Sequence, residues 1–581
     1  MDPSRIVEEF PAPSFRGAQE TALSDIRAAF EAGNDVVLVR APTGSGKSLL
    51  ARAIAGCARR PGEAEPHQPV GAYYTTPQVS QLDDVASDAL LEDLSIIRGK
   101  GNYNCILPGE SQTPVNRAPC ARERGFDCPV KHRCPYFSDR AIASNRSIAA
   151  MTLAYFMQTA GSDVFGGRDV VVVDEAHGLA EWAEMYATID LSPSRVPVWD
   201  ACEPPELSTL TDAAGYAERL VKTCQRRQEE LRSKVELSQE EAAQRDRLSE
   251  LVRELGWFIE DLRDPESPTT WVLDQHEGAG SAVTIKPLDP ARYLHHTVWE
   301  RGTKFALLSA TILNKEAFCA STGLNPDNVA LVEVPHTFPL ENRPLYDVTQ
   351  GKMTYEHREE TLPKIARTVV KLMANHPDEK GLIHAHSYAI QEKLHDLLHS
   401  FGVGDRIRLH DKENRDQALL GWKAEDSNAV FLSVKMEEAL DLKGDLARWQ
   451  VICKAPYPNT RDSRIAQRLE DGQWAWYYRT ALRTVIQACG RVVRAPDDYG
   501  ATYIADSSLV DLFERARVDM PDWFAEQVDA MTVPTLPEFE PNAAMGAGGT
   551  TGTAGSTGGS SGSGQPPSFE DHPLSDVWGT D

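Results

Sequence analysis

The hydrophobic positions of the first third of the chain form short apolar runs separated by segments with helical spacing. The runs Val36–Val39, Gly71–Thr76 and Val170–Val173 are too short for buried helices and are typical of strands covered on both faces. An amphipathic stretch from Glu20 to Ala32 precedes the first run, and a second helix is predicted to begin near Leu49. Because strands and helices alternate, the pattern predicts a parallel α/β sheet.

A second alternating segment begins near residue 340. Apolar runs at Leu382–Ile383, Val430–Leu432 and Val451–Ile452 predict its strands. A chain of 581 residues is too long for one hydrophobic core, and 41% hydrophobic with 25% charged residues is ordinary for a globular protein. The predicted fold class is therefore α/β, with two parallel-sheet lobes.

The region between these segments interrupts the alternation twice. Residues 98–136 are rich in Pro, Gly, Cys and basic side chains. From about 182 to 300 the pattern is largely helical, and residues 216–262 favour two long amphipathic helices separated near Leu237 and Ser238. An intramolecular hairpin is favoured over a coiled-coil dimer seam because each arm holds only a few heptads.

The net charge, the first residues and the lengths of the apolar runs limit the classes of protein that this sequence can represent. The formal net charge is -26, opposite in sign to that of a simple nucleic-acid binder, so any contact with nucleic acid must use a segregated basic region. The first ten residues have no secretory pattern, and no apolar run is long enough to span a bilayer. The sequence predicts a cytoplasmic protein without a membrane segment.

A glycine-rich segment follows the first predicted strand directly. Residues 41–48 read APTGSGKS, with Ala41 where the strict phosphate-loop pattern has its first glycine. Glycines let backbone N–H groups approach phosphate oxygens, and the following helix adds a favourable dipole. Lys47 is expected to reach the β- and γ-phosphates, and Ser48 to bind Mg²⁺. The predicted nucleotide contacts are Thr43, Gly44, Ser45, Gly46, Lys47 and Ser48.

Two further motifs suit phosphoryl chemistry. Asp174-Glu175-Ala176-His177 follows the third predicted strand, at the carboxyl edge where open α/β sheets bind ligands. Asp174 is expected to hold Mg²⁺ through water, and Glu175 to polarise the attacking water. Residues 487–494 read QACGRVVR, with Arg491 and Arg494 three apart on one face of a predicted helix. Two arginines can neutralise charge that develops on a transferred phosphoryl group.

Four of the ten cysteines lie within thirty residues. They are Cys105, Cys120, Cys128 and Cys134, separated by fourteen, seven and five residues. In a cytosolic chain such clustering indicates metal binding rather than disulfides. The spacing differs from the paired C-x₂-C knuckles of zinc ribbons, and four thiolates suit a [4Fe–4S] cluster, with zinc as the alternative.

The same stretch is locally basic. From Arg98 to Cys134 there are seven Lys or Arg residues and three acids, a net charge of +4. Tyr103 and Phe126 are aromatic side chains that are expected to stack on bases. A basic region with exposed aromatic rings predicts a contact for single-stranded nucleic acid.

In their order along most of residues 15–530, these motifs resemble the superfamily 2 helicases of the XPD/DinG group. TTPQVSQ (75–81) is similar to motif Ia, Ser309-Ala310-Thr311 to motif III, and the stretch around Ser387 to motif IV. The resemblance implies an adenine-side contact from Phe15, Arg16 and Gln19, coupling of ATP hydrolysis to nucleic acid by His177, Ser309 and Thr311, and motif VI catalysis by Gln487, Arg491 and Arg494.

The resemblance also implies a domain plan. A RecA-like lobe 1 would comprise residues 1–97, 137–181 and 301–335, with an iron–sulfur insertion at 98–136, an Arch-like helical insertion at 182–300, a RecA-like lobe 2 at 336–532 and a flexible acidic tail at 533–581. The tail contains a Gly/Ser/Thr tract and an acidic peptide with Phe569, Leu574 and Trp578. This peptide is expected either to dock a protein partner or to act only as a solubilising segment.

One motif departs from the family pattern. Motif V usually reads Glu-Gly-x-Asp, and here it is Glu438-Ala439-Leu440-Asp441, with Asp441 as an expected nucleotide contact. In place of glycine, Ala439 adds a Cβ where the family's backbone approaches the other lobe or the nucleic acid. The coupling of ATP hydrolysis to unwinding is therefore expected to change.

The implied function is an ATP-dependent DNA helicase of the DEAH type in repair or replication. The resemblance implies 5′→3′ polarity, a monomer acting on single-stranded and forked DNA, and ATP, Mg²⁺ and a [4Fe–4S] cluster as cofactors. Two alternatives remain. One is a translocase that strips proteins or remodels R-loops with little strand separation, and the other is a nucleotide-gated DNA-binding module.

Overall fold

The computed structural model describes residues 1–65, 67–123, 125–162, 164–264, 271–275, 282–434, 442 and 444–539. The chain divides into two compact units: unit 1 contains Met1–Thr337 and Asp462–Trp474, and unit 2 contains Phe338–Arg461 and Ala475–Asp581. The motif V residues Glu438 to Asp441 and the C-terminal peptide with Phe569, Leu574 and Trp578 lie outside the described residues.

The β-strands are numbered in chain order. They are β1 (Val36–Arg40), β2 (Ala72–Thr76), β3 (Ser95–Ile96), β4 (Ile148–Thr152), β5 (Arg168–Asp174), β6 (Ile189–Leu191), β7 (Trp271–Gln275), β8 (Val283–Pro287), β9 (Gly302–Ser309), β10 (Val329–Glu333), β11 (Leu345–Asp347), β12 (Gly381–His384), β13 (Ile407–Leu409), β14 (Val430–Ser433), β15 (Trp449–Ile452) and β16 (Ala501–Ile504).

The α-helices are numbered in the same way. They are α1 (Gln19–Glu31), α2 (Lys47–Gly56), α3 (Val79–Ser87), α4 (Pro119–Arg122), α5 (Pro135–Asn145), α6 (Leu153–Gln158), α7 (Leu179–Ala187), α8 (Leu210–Ser233), α9 (Gln239–Arg263), α10 (Ala291–Thr297), α11 (Lys315–Thr322), α12 (Arg358–Asn375), α13 (Tyr388–Ser400), α14 (Arg415–Ala424), α15 (Ser463–Glu470), α16 (Trp474–Cys489), α17 (Ser508–Arg515) and α18 (Asp522–Asp529). Among the described residues, every helix is too short or too polar to cross a lipid bilayer.

The main sheet of unit 1 has seven parallel strands in the order β10-β1-β9-β5-β2-β4-β3. Alternate residues of β1 enter two different cores: Val37 and Val39 pack into one, and Leu38 into the other. The strands are therefore apolar on both faces, as the short apolar runs predicted. The register pairs Arg40 with Ser309 and Asp174 with Leu308, so β1, β9 and β5 end at one edge.

Unit 2 has a six-stranded sheet in the order β11-β16-β15-β12-β14-β13, and every paired strand is parallel. The three predicted apolar runs lie in β12, β14 and β15. Leu382 and Ile383 belong to opposite cores, as expected for a sheet covered on both faces. The prediction of an α/β fold with two parallel-sheet lobes is confirmed.

The region around residues 182–300 contains the predicted helical hairpin, formed by α8 and α9. Each helix begins with a reciprocal capping box, at Thr209 with Asp212 and at Ser238 with Glu241. The region also contains an antiparallel sheet in the order β6-β8-β7, which the sequence reading missed. Its strands have three to five residues and are separated by long helices, so they leave little periodicity.

The cysteine-rich stretch contains short helical turns, and isolated β-bridges join Asn104 to Pro114 and Glu123 to Glu236. Its helix α4 lies against the helical hairpin. Arg245 donates to the Ala121 carbonyl at 2.8 Å, and Arg117 pairs with Asp246 at 3.0 Å. The stretch therefore obtains part of its support from a neighbouring segment rather than from a core of its own.

Candidate active site

The phosphate loop occupies the turn between β1 and α2. Gly44 and Gly46 both have φ of 80°, a left-handed conformation that favours glycine. A Cβ at Gly46 would lie 2.3 Å from Nε2 of Gln19, so a side chain there would displace that amide. Helix α2 begins at Lys47, which directs its N-terminal N–H groups toward the loop. The loop thus has the backbone geometry of a phosphate site.

The predicted adenine-side residues lie beside this loop. Gln19 Nε2 donates to the Ser45 carbonyl at 3.0 Å, and its Oε1 accepts from the Arg16 N–H at 2.9 Å. The Phe15 ring packs 4.7 Å from that of Phe10, centroid to centroid. Gln19 therefore links the start of α1 to the phosphate loop, which the sequence alone did not specify.

The acidic motif lies at the same edge of the sheet. Lys47 Nζ is 3.4 Å from Oε1 of Glu175. Glu175 has φ of 50°, so the backbone turns sharply after β5 and is in a conformation that is strained for a residue with a side chain. The Tyr74 hydroxyl donates to Oδ2 of Asp174 at 3.4 Å. Tyr74 was missed, because a tyrosine in a buried strand has the pattern of a core residue.

The electrostatics of this edge favour a cation. Burial and then the charge of Glu175 raise the pKa of Asp174 to about 6, while Lys47 acts in the opposite direction. Burial also raises the pKa of Tyr74, and a hydrogen bond with Ser48 opposes that rise. Ser48, Tyr74 and Asp174 therefore form a small group of oxygen atoms with excess negative charge. Such a group fits Mg²⁺, a hard cation that prefers oxygen ligands.

The predicted coupling residues are also in contact. His177 Nδ1 lies 2.8 Å from Oγ of Ser309 and 3.3 Å from Oε2 of Glu175. Ser309 Oγ accepts from the Thr311 N–H at 3.1 Å and donates to Glu175 at 3.4 Å. A change at the carboxylate of Glu175 thus reaches the segment after β9 through two hydrogen-bonding side chains.

The arginine motif belongs to unit 2. Gln487 lies in the last turn of α16, but that helix ends at Cys489, and Arg491 and Arg494 follow it in a turn. The prediction that both arginines lie on a helix is wrong. Gly490 weakens the helix, and the Asp498 carboxylate accepts from the Arg494 N–H at 3.1 Å, which stabilises the turn. Asp441 lies outside the described residues.

The four cysteines form one neighbourhood. Burial makes the largest contribution to a raised pKa of the Cys120 thiol. The charges of Cys128, Cys105 and Cys134 raise that pKa further, which requires these side chains to be nearby. The Leu107 N–H donates to Sγ of Cys105 at 3.5 Å, the kind of contact that thiolate ligands accept. No three His, Cys, Asp or Glu side chains stand in a ready metal-binding arrangement in the part of the chain that the structure describes.

The aromatic side chains of this stretch are less accessible for stacking on bases than predicted. Tyr103 is 8% exposed, and its hydroxyl donates to Asp139 at 2.9 Å and accepts from the Arg98 N–H at 3.1 Å, so its ring is not free to stack on a base. Phe126 is half-buried. Phe137, which the sequence reading missed, lies 5.2 Å from Lys131 Nζ and 5.1 Å from the Arg140 guanidinium. A half-buried ring between two cations is the better candidate for a contact with bases.

Two segments match known families. Residues 128–196, which include Cys128, Cys134 and the acidic motif, match the family model described as DEAD_2. Residues 369–527, which include the arginine motif, match the model described as Helicase C-terminal domain. Together they cover parts of both units.

Short segments of the chain are similar to segments of two known proteins. The chain is 32% identical over 120 residues to "Regulator of telomere elongation helicase 1" of Homo sapiens, which is 18% of this chain and 10% of that protein. It is 27% identical over 161 residues to "General transcription and DNA repair factor IIH helicase subunit XPD/RAD3" of Saccharomyces cerevisiae, 24% of this chain and 20% of that protein. The matched segments thus span only a small part of these relatives.

The fold is similar to that of two solved structures. "Structure of S. tokodaii Xpd4" matches with a TM-score of 0.54 and 15% identity, covering 90% of this chain and 100% of that chain. "XPD_Helicase" matches with a TM-score of 0.55 and 17% identity, covering 89% and 98%. The similarity extends over both units and most of the described residues.

Proposed function

We propose that this chain, an XPD/DinG-like protein with the superfamily 2 helicase fold, is an ATP-dependent DNA helicase. It would hydrolyse ATP at the carboxyl edge of the seven-stranded sheet and use the energy to move along one DNA strand. The observation that carries the proposal is a chain of contacts that runs from Lys47 to Glu175, from Glu175 to His177 and from His177 to Ser309.

The chemistry of this site follows from its charges. Lys47 and the loop N–H groups would bind the β- and γ-phosphates, and Ser48 and Asp174 would hold Mg²⁺. Glu175 would orient the attacking water, and its contact with His177 would report the loss of the γ-phosphate to Ser309. Arg491 and Arg494 would supply positive charge to the transition state, with Gln487 beside them.

Cys105, Cys120, Cys128 and Cys134 would hold the iron–sulfur cluster, after a change from the arrangement described above. Their shared neighbourhood and the N–H donor to Cys105 support this assignment, and a [4Fe–4S] cluster needs four such thiolates. A bound cluster would hold the short turns of residues 98–136 together, because the stretch has little apolar core. Phe137, Lys131 and Arg140 would then present a rigid surface to single-stranded DNA.

The remaining assignments are proposals of the same kind. Residues 98–136 would form the iron–sulfur domain, residues 182–300 the Arch-like domain, and single-stranded and forked DNA the substrates. Polarity from 5′ to 3′, a role in repair, a monomeric state, a cytoplasmic location and a protein partner for the tail stay predictions. Ala439 in motif V motivates the alternative, a nucleotide-gated DNA-binding module with little unwinding.

Two assays on the purified chain test the proposal. ATP hydrolysis is measured with and without single-stranded DNA, and strand separation is measured on duplexes with a 5′ or a 3′ single-stranded tail. We expect DNA-stimulated hydrolysis and unwinding of the 5′-tailed duplex. Stimulated hydrolysis without unwinding of either duplex would favour a translocase, and DNA binding without hydrolysis would favour the binding module.

A further inference from the structure

One short segment of the chain changes units. Residues 338–461 and those after 474 belong to unit 2, but Asp462–Trp474 belongs to unit 1. The segment contains α15, of which only Arg468 and Leu469 are buried. Because Leu469 is buried and Ile465 only half-buried, the apolar contribution is small and charged contacts help to hold this helix in place.

Two ion-pair groups anchor α15. At its N-terminus, Lys286 on β8 lies 2.6 Å from Asp274 and 2.9 Å from Asp462. Further along, Glu184 on α7 pairs with Arg464 at 3.4 Å and also pairs with Arg468.

The second group is largely removed from water. Glu184 is 6% exposed and Arg468 is 8% exposed. Arg468 also donates to the Leu288 carbonyl at 2.8 Å. A buried pair with additional hydrogen bonds holds a defined geometry, and the loss of one partner leaves the other charge buried.

The positions of these helices give the contact a consequence for catalysis. Helix α7 begins two residues after His177, so Glu184 is carried by the helix that leaves the acidic motif. Helix α15 is followed closely by α16, which contains Gln487 and ends just before Arg491. One carboxylate on the first helix therefore holds the segment that leads into the arginine motif.

We infer that Glu184, Arg464 and Arg468 are positioning residues that couple the acidic motif to the arginine motif through α15. The inference rests on the proposed function, because it concerns how that ATPase site responds to DNA. With these ion pairs intact, α15, which precedes α16 along the chain, is held on the helix that follows Glu175. When the ion pairs of Glu184 with Arg464 and Arg468 are lost, ATP still binds and is slowly hydrolysed, but DNA no longer accelerates hydrolysis effectively.

The test compares Glu184→Gln with the full wild-type chain. We expect the KM for ATP and the basal kcat to stay close to wild type, and the stimulation by single-stranded DNA to fall by about 5- to 150-fold, the usual range of coupling between sites. Glu470→Gln, the same substitution at an exposed position of α15, is the matched control and should keep full stimulation. Amide hydrogen exchange should increase in α15 of the Glu184 variant and stay unchanged in the control.

Conservative variants separate positioning from general stability. Arg468→Lys should retain more of the stimulation than Arg468→Met, because the lysine keeps the charge. If Glu184→Gln does not fold, Arg464→Gln carries the test, since its side chain is 23% exposed and its loss is milder. If DNA stimulates ATP hydrolysis equally in wild type and in these variants, the inference about α15 is wrong and the proposed function is unaffected. A wild type that DNA does not stimulate contradicts the proposed function itself.

Discussion

The carboxyl edges of the two parallel sheets have the same architecture, but burial shifts the pKa of their titratable side chains in opposite directions. In unit 1 the edge carries Asp174 and Glu175, and the pKa of Asp174 is raised to about 6 by burial and by its acidic neighbour. In unit 2, His386 follows β12 in a left-handed conformation with φ of 52°. Burial lowers the pKa of His386 to about 4, and the charge of Lys454 acts in the same direction.

The difference leaves the two edges with different charges near pH 7. An edge with unbalanced negative charge is stabilised by a metal ion, which can then hold phosphates. At the second edge the imidazole of His386 is neutral near pH 7, and the charge of Lys454 is opposed by the nearby carboxylate of Asp506. The strands supply only the common position, and a few residues in the loops that follow them decide the charge.

The largest expected effect is that of Lys47→Ala at the acidic edge. Without the ammonium group, the ATP phosphates lose a direct contact with a positive charge, and Glu175 loses its ion-pair partner. ATP turnover should therefore fall by about 10³-fold or more. The thermal unfolding midpoint should change little. Lys222→Ala, an exposed position on α8, is the control and should be fully active. Substantial activity in Lys47→Ala would contradict the assignment of the phosphate loop.

Glu175→Gln sharpens the comparison, because it removes one of the two negative charges while keeping size and hydrogen bonding. Nucleotide binding should survive, and hydrolysis should fall by about 10²–10⁴-fold, the usual effect of losing a general base. A fluorescent nucleotide measures binding and phosphate release measures turnover. Glu316→Gln, an exposed carboxylate of the same unit, should change neither. Loss of binding in Glu175→Gln would instead indicate a structural role.

Cys128→Ser tests a region outside both edges. Removal of one thiolate should release the iron, make the protein colourless and abolish unwinding, because the turns of residues 98–136 depend on the cluster. ATP hydrolysis should decrease only modestly, since the seven-stranded sheet has its own cores. Iron content, visible absorbance and unwinding are measured together, with Cys202→Ser and Cys319→Ser as controls. Full metal content and full unwinding in Cys128→Ser would exclude the cluster.

The smallest expected effect is a pH dependence of stability caused by His386, at the carboxyl edge of the unit 2 sheet. The folded pKa of His386 is about 4 and its unfolded value is 6.5, so below pH 6.5 the unfolded chain binds a proton that the folded chain does not. Stability should therefore fall as the pH decreases from 6.5 toward 4, by on the order of 1–3 kcal/mol. Urea unfolding of wild type and His386→Asn measures this, because asparagine tolerates the left-handed backbone and does not titrate. Parallel pH profiles would contradict it.

Much of the fold followed from local patterns. Apolar runs such as Val170–Val173 predicted buried strands because every residue of such a run faces a core. The phosphate loop and the acidic motif were also recognisable, because both require particular residues in a continuous stretch. Their meeting at one edge followed from the rule for parallel strands.

Other features depended on contacts between distant residues. Tyr74 and Gln19 acquire their roles only when β2 and α1 lie beside the nucleotide site. Tyr103 was expected to be free for stacking. Its ring is buried instead, and its hydroxyl donates to Asp139. The end of α16 before Arg491 was missed for a local reason, since Gly490 weakens the helix and the Arg494 N–H donates to Asp498, four residues later.

The transfer of Asp462–Trp474 to unit 1 also has a consequence for the order of folding. During synthesis from the N-terminus, residues 1–337 emerge long before this segment does. Until it arrives, Glu184 and Lys286 lack partners that lie more than 170 residues later in the chain. The first unit therefore completes its folding only after most of the second has been made, so the two units mature together rather than one after the other.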